Sequence, residues 1–117
     1  MAATDPHLRG EARVREVFAR VRNGDDRVAD LYAEDGVVLA GGSRIEGREA
    51  IRAFYRQTIE SIHPRPEVQL VLSAPGSEVF AVVVEVPSDH GRFHALDLFT
   101  VGEAGIRQLE IFNRPIG

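Results

Sequence analysis

The chain contains no cysteine, which removes disulfides, thiolate nucleophiles and cysteine-held zinc from consideration. Positive charge is also in short supply: 14 basic residues face 18 acidic ones, for a net charge of -4. Every basic residue is an arginine, and the arginines are scattered among acidic neighbours. Wrapping a phosphate backbone needs a clustered basic excess, so no nucleic acid partner is expected. Long apolar runs are missing, with nothing near the roughly 20 residues needed to cross a bilayer. Met1 to Leu8 lacks the basic start and apolar stretch of a secretory signal. A cytoplasmic protein with no membrane partner is the expectation. No spacing such as His-Glu-x-x-His, no Gly-x-Ser-x-Gly elbow and no phosphate-cradling loop occurs, so neither a metal nor a cofactor is expected. Without an internal repeat, low-complexity tract or linker, residues 1–117 are read as a single domain.

What is present reads as helices followed by sheet. Asp5 can cap a first helix and Pro6 suits its first turn. Val14, Val17, Phe18 and Val21 follow helical spacing, and Asn23-Gly24 can close the helix in the left-handed region. A short second helix is expected from Asp25 or Asp26 through Val28, Leu31 and Tyr32, ended by Asp35-Gly36. Val37 to Leu39 is then a short strand, returned by a hairpin turn at Gly41-Gly42 to a strand from Arg44 to Glu46. The strongest helix follows, with Ile51, Phe54, Tyr55, Thr58, Ile59 and Ile62 on one face. His63-Pro64-Arg65-Pro66 stops it, because a residue before proline is pushed out of the helical region. Four strands follow, Val68 to Ala74, Val79 to Val86, Arg92 to Val101 and Ile106 to Asn113, joined by Pro- and Gly-rich loops as an antiparallel meander.

Two of these strands are apolar on both faces. Val79, Ala81 and Val83 alternate with Phe80, Val82, Val84 and Val86, while Phe93, Ala95, Phe99 and Val101 alternate with Leu96 and Leu98. A sheet with one wet face would alternate apolar with polar residues. Helices can cover one face, and a second copy of the chain is expected on the other, giving a homodimer.

The order of elements and several local phrases carry a resemblance. Gly24-Asp25, Leu31 to Asp35, Glu46 to Ile51, Phe54-Tyr55 and Asp97 to Val101 with Gly105-Ile106 together resemble the nuclear transport factor 2-like superfamily. The likeness is to its bacterial SnoaL-like and ketosteroid isomerase-like branch and runs from about Glu11 to Pro115. It implies an α+β fold: a cone-shaped, mostly antiparallel sheet wrapped around three helices (α-α-β-β-α-β-β-β-β), a cystatin-like roll. It also implies an apolar pocket at one end of the cone and dimers packed through the outer sheet face. The fold hosts isomerases, cyclases and non-catalytic modules alike, so it does not name a function.

Asp97 stands out among candidate site residues. It shares a strand face with Phe93, Ala95, Phe99 and Val101, where lost hydration should raise its pKa. A neutral acid in a dry pocket can donate to an oxygen that gains negative charge. By resemblance, Asp97 matches the oxyanion-binding aspartate of ketosteroid isomerase; the alternative is an ordinary Asp paired to an Arg or a backbone amide. Tyr32 and Tyr55 match two tyrosines that support the catalytic one in that enzyme; the alternative is two core tyrosines satisfied locally. The catalytic tyrosine itself falls near Val17 or Phe18, and the general base falls on Ala40; none of these can take a proton. Phe54, Ala95, Phe99, Leu109, Ile111 and Asn113 complete the expected lining. His94, three residues before Asp97, belongs to the opposite face. The expectation is a pocket protein for a small apolar molecule, of isomerase or cyclase type but without the ketosteroid isomerase base. A non-catalytic binding or dimerising module is the alternative.

Overall fold

The computed structural model describes residues 5–116. Helix α1, Pro6–Arg22, is capped by the Asp5 carboxylate, which accepts the His7 amide at 2.9 Å. It buries Val14, Val17 and Phe18 on one stripe. Of the two residues expected to close it, Gly24 alone takes the left-handed conformation, with φ 69°. The expected second helix is a single 3-10 segment, Asp26–Leu31, which buries Val28 and Ala29.

That segment ends at Leu31, well before the Asp35-Gly36 stop that the sequence suggests, and Tyr32 opens a strand five residues ahead of the expected Val37. Strand β1, Tyr32–Ala40, absorbs the Asp35-Gly36 pair that was expected to end a helix. The reason is tertiary. Tyr32 pairs in register with Ile106 across the sheet, and the ladder resumes at Val37 with Gln108 after a bulge. The Arg48 guanidinium donates to the Tyr32 carbonyl at 2.7 Å, holding the bulge. Gly36 sits where a side chain would press within 3.0 Å of the carbonyls of Ala33 and Ile106. Glycine here serves close backbone approach, not helix termination.

Strand β2, Ser43–Glu46, returns antiparallel through Gly41 and Gly42, whose φ values of 56° and 82° suit the two-residue hairpin expected there. Helix α2, Arg48–Ile62, turns Ile51 and Tyr55 fully inward and leaves Phe54, Thr58, Ile59 and Ile62 half-buried. It ends at His63, held at φ 45°. Strands β3 (Glu67–Leu72), β4 (Val79–Ser88), β5 (Gly91–Gly102) and β6 (Gly105–Ile116) complete the chain. The loop expected from Pro87 to Gly91 shrinks to Asp89-His90. The Ser88 hydroxyl donates to the Gly91 carbonyl at 2.8 Å, and the Asp89 amide is anchored to Ile62 on α2.

The six strands form one curved, unclosed sheet in the order β2-β1-β6-β5-β4-β3. All neighbours are antiparallel except β1 and β6, which run parallel. Phe80, Val82, Val84, Phe99, Val101 and Leu109 on the concave face pack against α1 and α2 and are almost wholly buried. Each large apolar side chain buried this way contributes roughly 1.5–3 kcal/mol. On the opposite parity Val79, Leu96 and Phe112 are 41–50% exposed, while Ala81, Val83 and Leu98 are half-buried. Among the described residues, the helices therefore cover the concave face and leave the other open. Among the described residues no helix is long and apolar enough to cross a membrane.

Candidate functional site

The helices do not fill the concave face completely. A cavity of about 410 Å³ remains between α1, α2 and the inner faces of β4, β5 and β6. Asp97 projects into it from the middle of β5, where it pairs with Val82 on one side and Ile111 on the other. The alternation of β5 dictates that direction, because Ala95, Asp97 and Phe99 must share a face. The side chain is 7% exposed, and among the buried polar residues described it is the one charged type. Its Oδ1 has no hydrogen-bond partner. The expected alternative, an Asp paired with an arginine, does not occur among the described contacts. Burial alone pushes its carboxyl from 3.8 up to about 7, since the apolar surroundings penalise the charged form.

The tyrosines expected beside it are hydrogen-bonded to each other, hydroxyl to hydroxyl, at 2.6 Å. Tyr55 contributes to the cavity wall, whereas Tyr32 is fully buried behind it. Both phenols titrate above their ordinary range, chiefly through burial, and the nearby Asp97 charge pushes both further in the same direction. They are neutral hydroxyls at any physiological pH.

Val17, Phe18, Ala40, Phe54, Ala95, Leu109, Ile111 and Asn113 all line the cavity. Phe99, expected among them, does not: it is wholly buried and packs edge-on against Phe18 at 5.8 Å. Phe99 and Tyr32 were placed in the wall by strand parity or resemblance, but parity fixes only the face of the sheet, and the helices cover that part of it. Conversely, Val84, Phe93, Ile62, Pro64 and Pro66 are in the wall without having been singled out. Phe93 carried the signal of sharing the Asp97 face, whereas Val84 lies on a neighbouring strand whose register only the structure gives. Pro64 and Pro66 were read only as helix stoppers, yet both are buried.

Ala40, at the position where the resemblance puts a general base, lies in the wall beside Gly41. Asp97 and Tyr55 are the only ionisable side chains among the described lining residues. Thr58 is polar but committed, its hydroxyl donating to the Phe54 carbonyl at 2.9 Å. His94 is exposed on the opposite face. His63 closes α2 outside the lining, with its Nδ1 2.6 Å from Asp89 Oδ2. A larger hollow, about 880 Å³, opens on the outer face between His94, Leu96, Glu110, Phe112 and Arg114. Its polar side chains are exposed or half-buried, so it offers none of the desolvation that changes chemistry inside. The smaller inner cavity is the candidate site.

The fold recurs among solved structures. The epoxide hydrolase/cyclase-like enzyme SalBIII, which acts in pyran ring formation in the polyether salinomycin, superposes with a TM-score of 0.81 at 20% identity, covering 95% of each chain. A steroid delta-isomerase from Pseudomonas aeruginosa gives 0.74 at 12% identity, over 92% of this chain and 80% of its own. A de novo designed protein with a curved β-sheet gives 0.76 at 19% identity, over 87% and 82%. Natural enzymes and a designed scaffold thus share this backbone, and at such identities the likeness establishes the fold alone. No curated protein matches the sequence. The SnoaL-like domain model matches residues 14–108, most of the two helices and of the sheet, and the chain belongs to the SnoaL-like family.

Proposed function

We propose that this protein binds a small, uncharged, largely apolar molecule in the inner cavity and acts on it as an isomerase- or cyclase-type enzyme, with Asp97 as its acid. The observation that carries the reading is a buried carboxyl oxygen with no protein partner, aimed into an apolar hollow. A native structure rarely leaves such a group unsatisfied without a use for it. In its neutral form the carboxyl donates a hydrogen bond to a carbonyl or ether oxygen of the ligand. As that oxygen gains negative charge in the reaction, the bond strengthens, which lowers the barrier selectively. Tyr55, whose hydroxyl is engaged by Tyr32 at 2.6 Å, lends the wall a fixed dipole. Val17, Phe18, Phe54, Ala95, Leu109 and Ile111 exclude water and set the shape.

Ketosteroid isomerisation is not part of this proposal. Moving a proton between carbons requires a base, and Ala40 occupies the position where the resemblance puts one. The cyclase-type and epoxide-opening chemistry suggested by the SalBIII likeness needs an acid on an oxygen and fits the lining better. A non-catalytic binding module is the second reading, favoured by the lack of another carboxylate or histidine in the wall.

A thermal-shift screen with hydrophobic phenols, polyketide-like compounds and steroids tests the cavity reading, because a ligand that binds only the folded state raises Tm. Hits that weaken in Asp97→Asn support it, and a screen without any shift refutes it. Turnover of a hit, monitored by chromatography, then separates the enzyme from the binding module.

The outer face belongs to the same proposal as the seat of a second copy. Leu72, Val79, Leu96 and Phe112 are 41–53% exposed there, and Arg114 and Glu110 put both charge signs on one patch, which is compatible with self-complementary pairing about a two-fold axis. Sedimentation giving a monomer at micromolar concentration would refute it.

A further inference from the structure

We propose that Asn113 is a second polar anchor in the cavity, so that the site selects uncharged ligands carrying two oxygen functions set apart by a fixed distance. The inference rests on the cavity reading above and adds the class of ligand.

Four uncommitted or committed polar side chains decide it. Tyr55 is bonded to Tyr32, and Thr58 is bonded to the Phe54 carbonyl. Asp97 keeps a free Oδ1. The Asn113 amide makes no side-chain hydrogen bond to the described residues, although it lines the cavity and could offer both a donor and an acceptor. The two free groups differ in exposure: Asp97 is buried, and Asn113 is exposed.

Their separation follows from the register. Asp97 faces Ile111 across the β5–β6 ladder, and Asn113 faces Ala95, one same-face step further along each strand. Diagonal neighbours of this kind lie roughly 7–8 Å apart at Cα. The other two corners of that patch are Ala95 and Ile111, which offer no polar group and so demand an apolar spacer. Among the described residues no arginine, lysine or histidine lines the hollow, and an anionic ligand would meet Asp97 without a compensating cation. A flat, neutral body of about two fused rings with an oxygen at each far end fits these terms.

Calorimetric titration of the full chain with three naphthalene probes tests this. They are a mono-naphthol, a diol with hydroxyls at the far ends of the two rings, and a diol with both hydroxyls adjacent on one ring. One extra neutral hydrogen bond predicts a roughly 3- to 10-fold advantage for the far-end diol over the mono-naphthol. Asn113→Ala should erase that advantage, Asn113→Gln should restore part of it, and the adjacent diol should show none. An advantage that survives Asn113→Ala, or that the adjacent diol shares, overturns the inference. So does equal binding of mono-naphthol and far-end diol by the wild type; if Asp97→Asn still weakens both, the cavity reading stands without the second anchor. Failure of every probe to bind the wild type overturns the cavity reading and this inference together. Asn113 is exposed, and an unchanged Tm in its variants excludes misfolding as the cause.

Discussion

Replacing Asp97 by asparagine should change how the stability of the protein depends on pH far more than it changes stability at low pH. In the folded state the carboxyl is displaced by burial from 3.8 to about 7. Below the unfolded value both states hold the proton and the group contributes nothing. Between the two values the folded chain keeps a proton that the unfolded chain releases, so stability falls as pH rises. The loss is complete once pH passes the folded value. At about 1.4 kcal/mol for each pH unit, the accumulated penalty is roughly 4 kcal/mol, a large share of the 5–15 kcal/mol typical of a small domain. Asparagine keeps the shape and removes the titration. Its buried amide adds a pH-independent cost of about 1–3 kcal/mol if it finds no partner, which makes the slope the informative quantity and the offset secondary. Urea unfolding of both proteins at half-unit steps from pH 4 to 8.5 would measure it. The surface carboxylates held down by arginines, Asp25 and Asp26 among them, titrate identically in both and cancel in the difference. The wild type should lose ground steadily against Asp97→Asn as pH climbs to about 7, then run parallel to it. A difference that stays flat across the range would refute the buried, unpaired carboxyl, and with it the reason for placing chemistry there.

Other perturbations test the surroundings. Tyr55→Phe and Tyr32→Phe should each cost about 1–3 kcal/mol by stranding the other hydroxyl in the core, and the double variant should cost less than their sum, as a double-mutant cycle by urea unfolding would reveal. Gly105→Ala should destabilise by at least about 2 kcal/mol in the same assay, because a Cβ there would press within 2.9 Å of the Leu31 and Ala33 backbone at a φ of 131°. Turnover of an unsaturated ketosteroid, followed by ultraviolet absorbance, should be absent, and a rate above trace would remove Ala40 as the explanation for a missing base.

Much of the fold was legible because apolar periodicity and turn chemistry agree along most of the chain. The α2 face from Ile51 to Ile62 and the alternation of β4 and β5 follow directly from residue spacing, and the Gly41-Gly42 hairpin needed only the preference for positive φ. The stretch from Leu31 to Gly36 resisted such reading. Tyr32 could extend a helix or open a strand on local grounds, and its state is decided by Ile106, which lies far away in the chain. The site divides in the same way. That Asp97 faces inward is a matter of strand parity, and so were Ala95 and Ile111. Whether a given inward residue meets the cavity or a helix depends on three-dimensional packing, which is why Phe99 lies behind Phe18 while Pro64 and Pro66 reach the wall.

The protonation state of Asp97 follows from where the carboxyl is placed more than from any partner group. No cation, metal cluster or hydrogen-bond donor among the described residues holds Asp97 in a particular state; the sheet does so by denying it water. The cost of that arrangement falls on folding, and the concave-face core of Phe80, Val82, Val84 and Leu109 is what offsets it. A ligand oxygen accepting from the neutral acid would relieve part of the cost and raise the carboxyl further. Binding and protonation therefore reinforce each other, and a ligand of this kind must lose affinity about tenfold for each pH unit above 7. Cationic amines would show the reverse trend, since they need the ionised carboxylate. The sign of that pH dependence thus reports which form of Asp97 the site uses, independently of whether any bond in the ligand is changed.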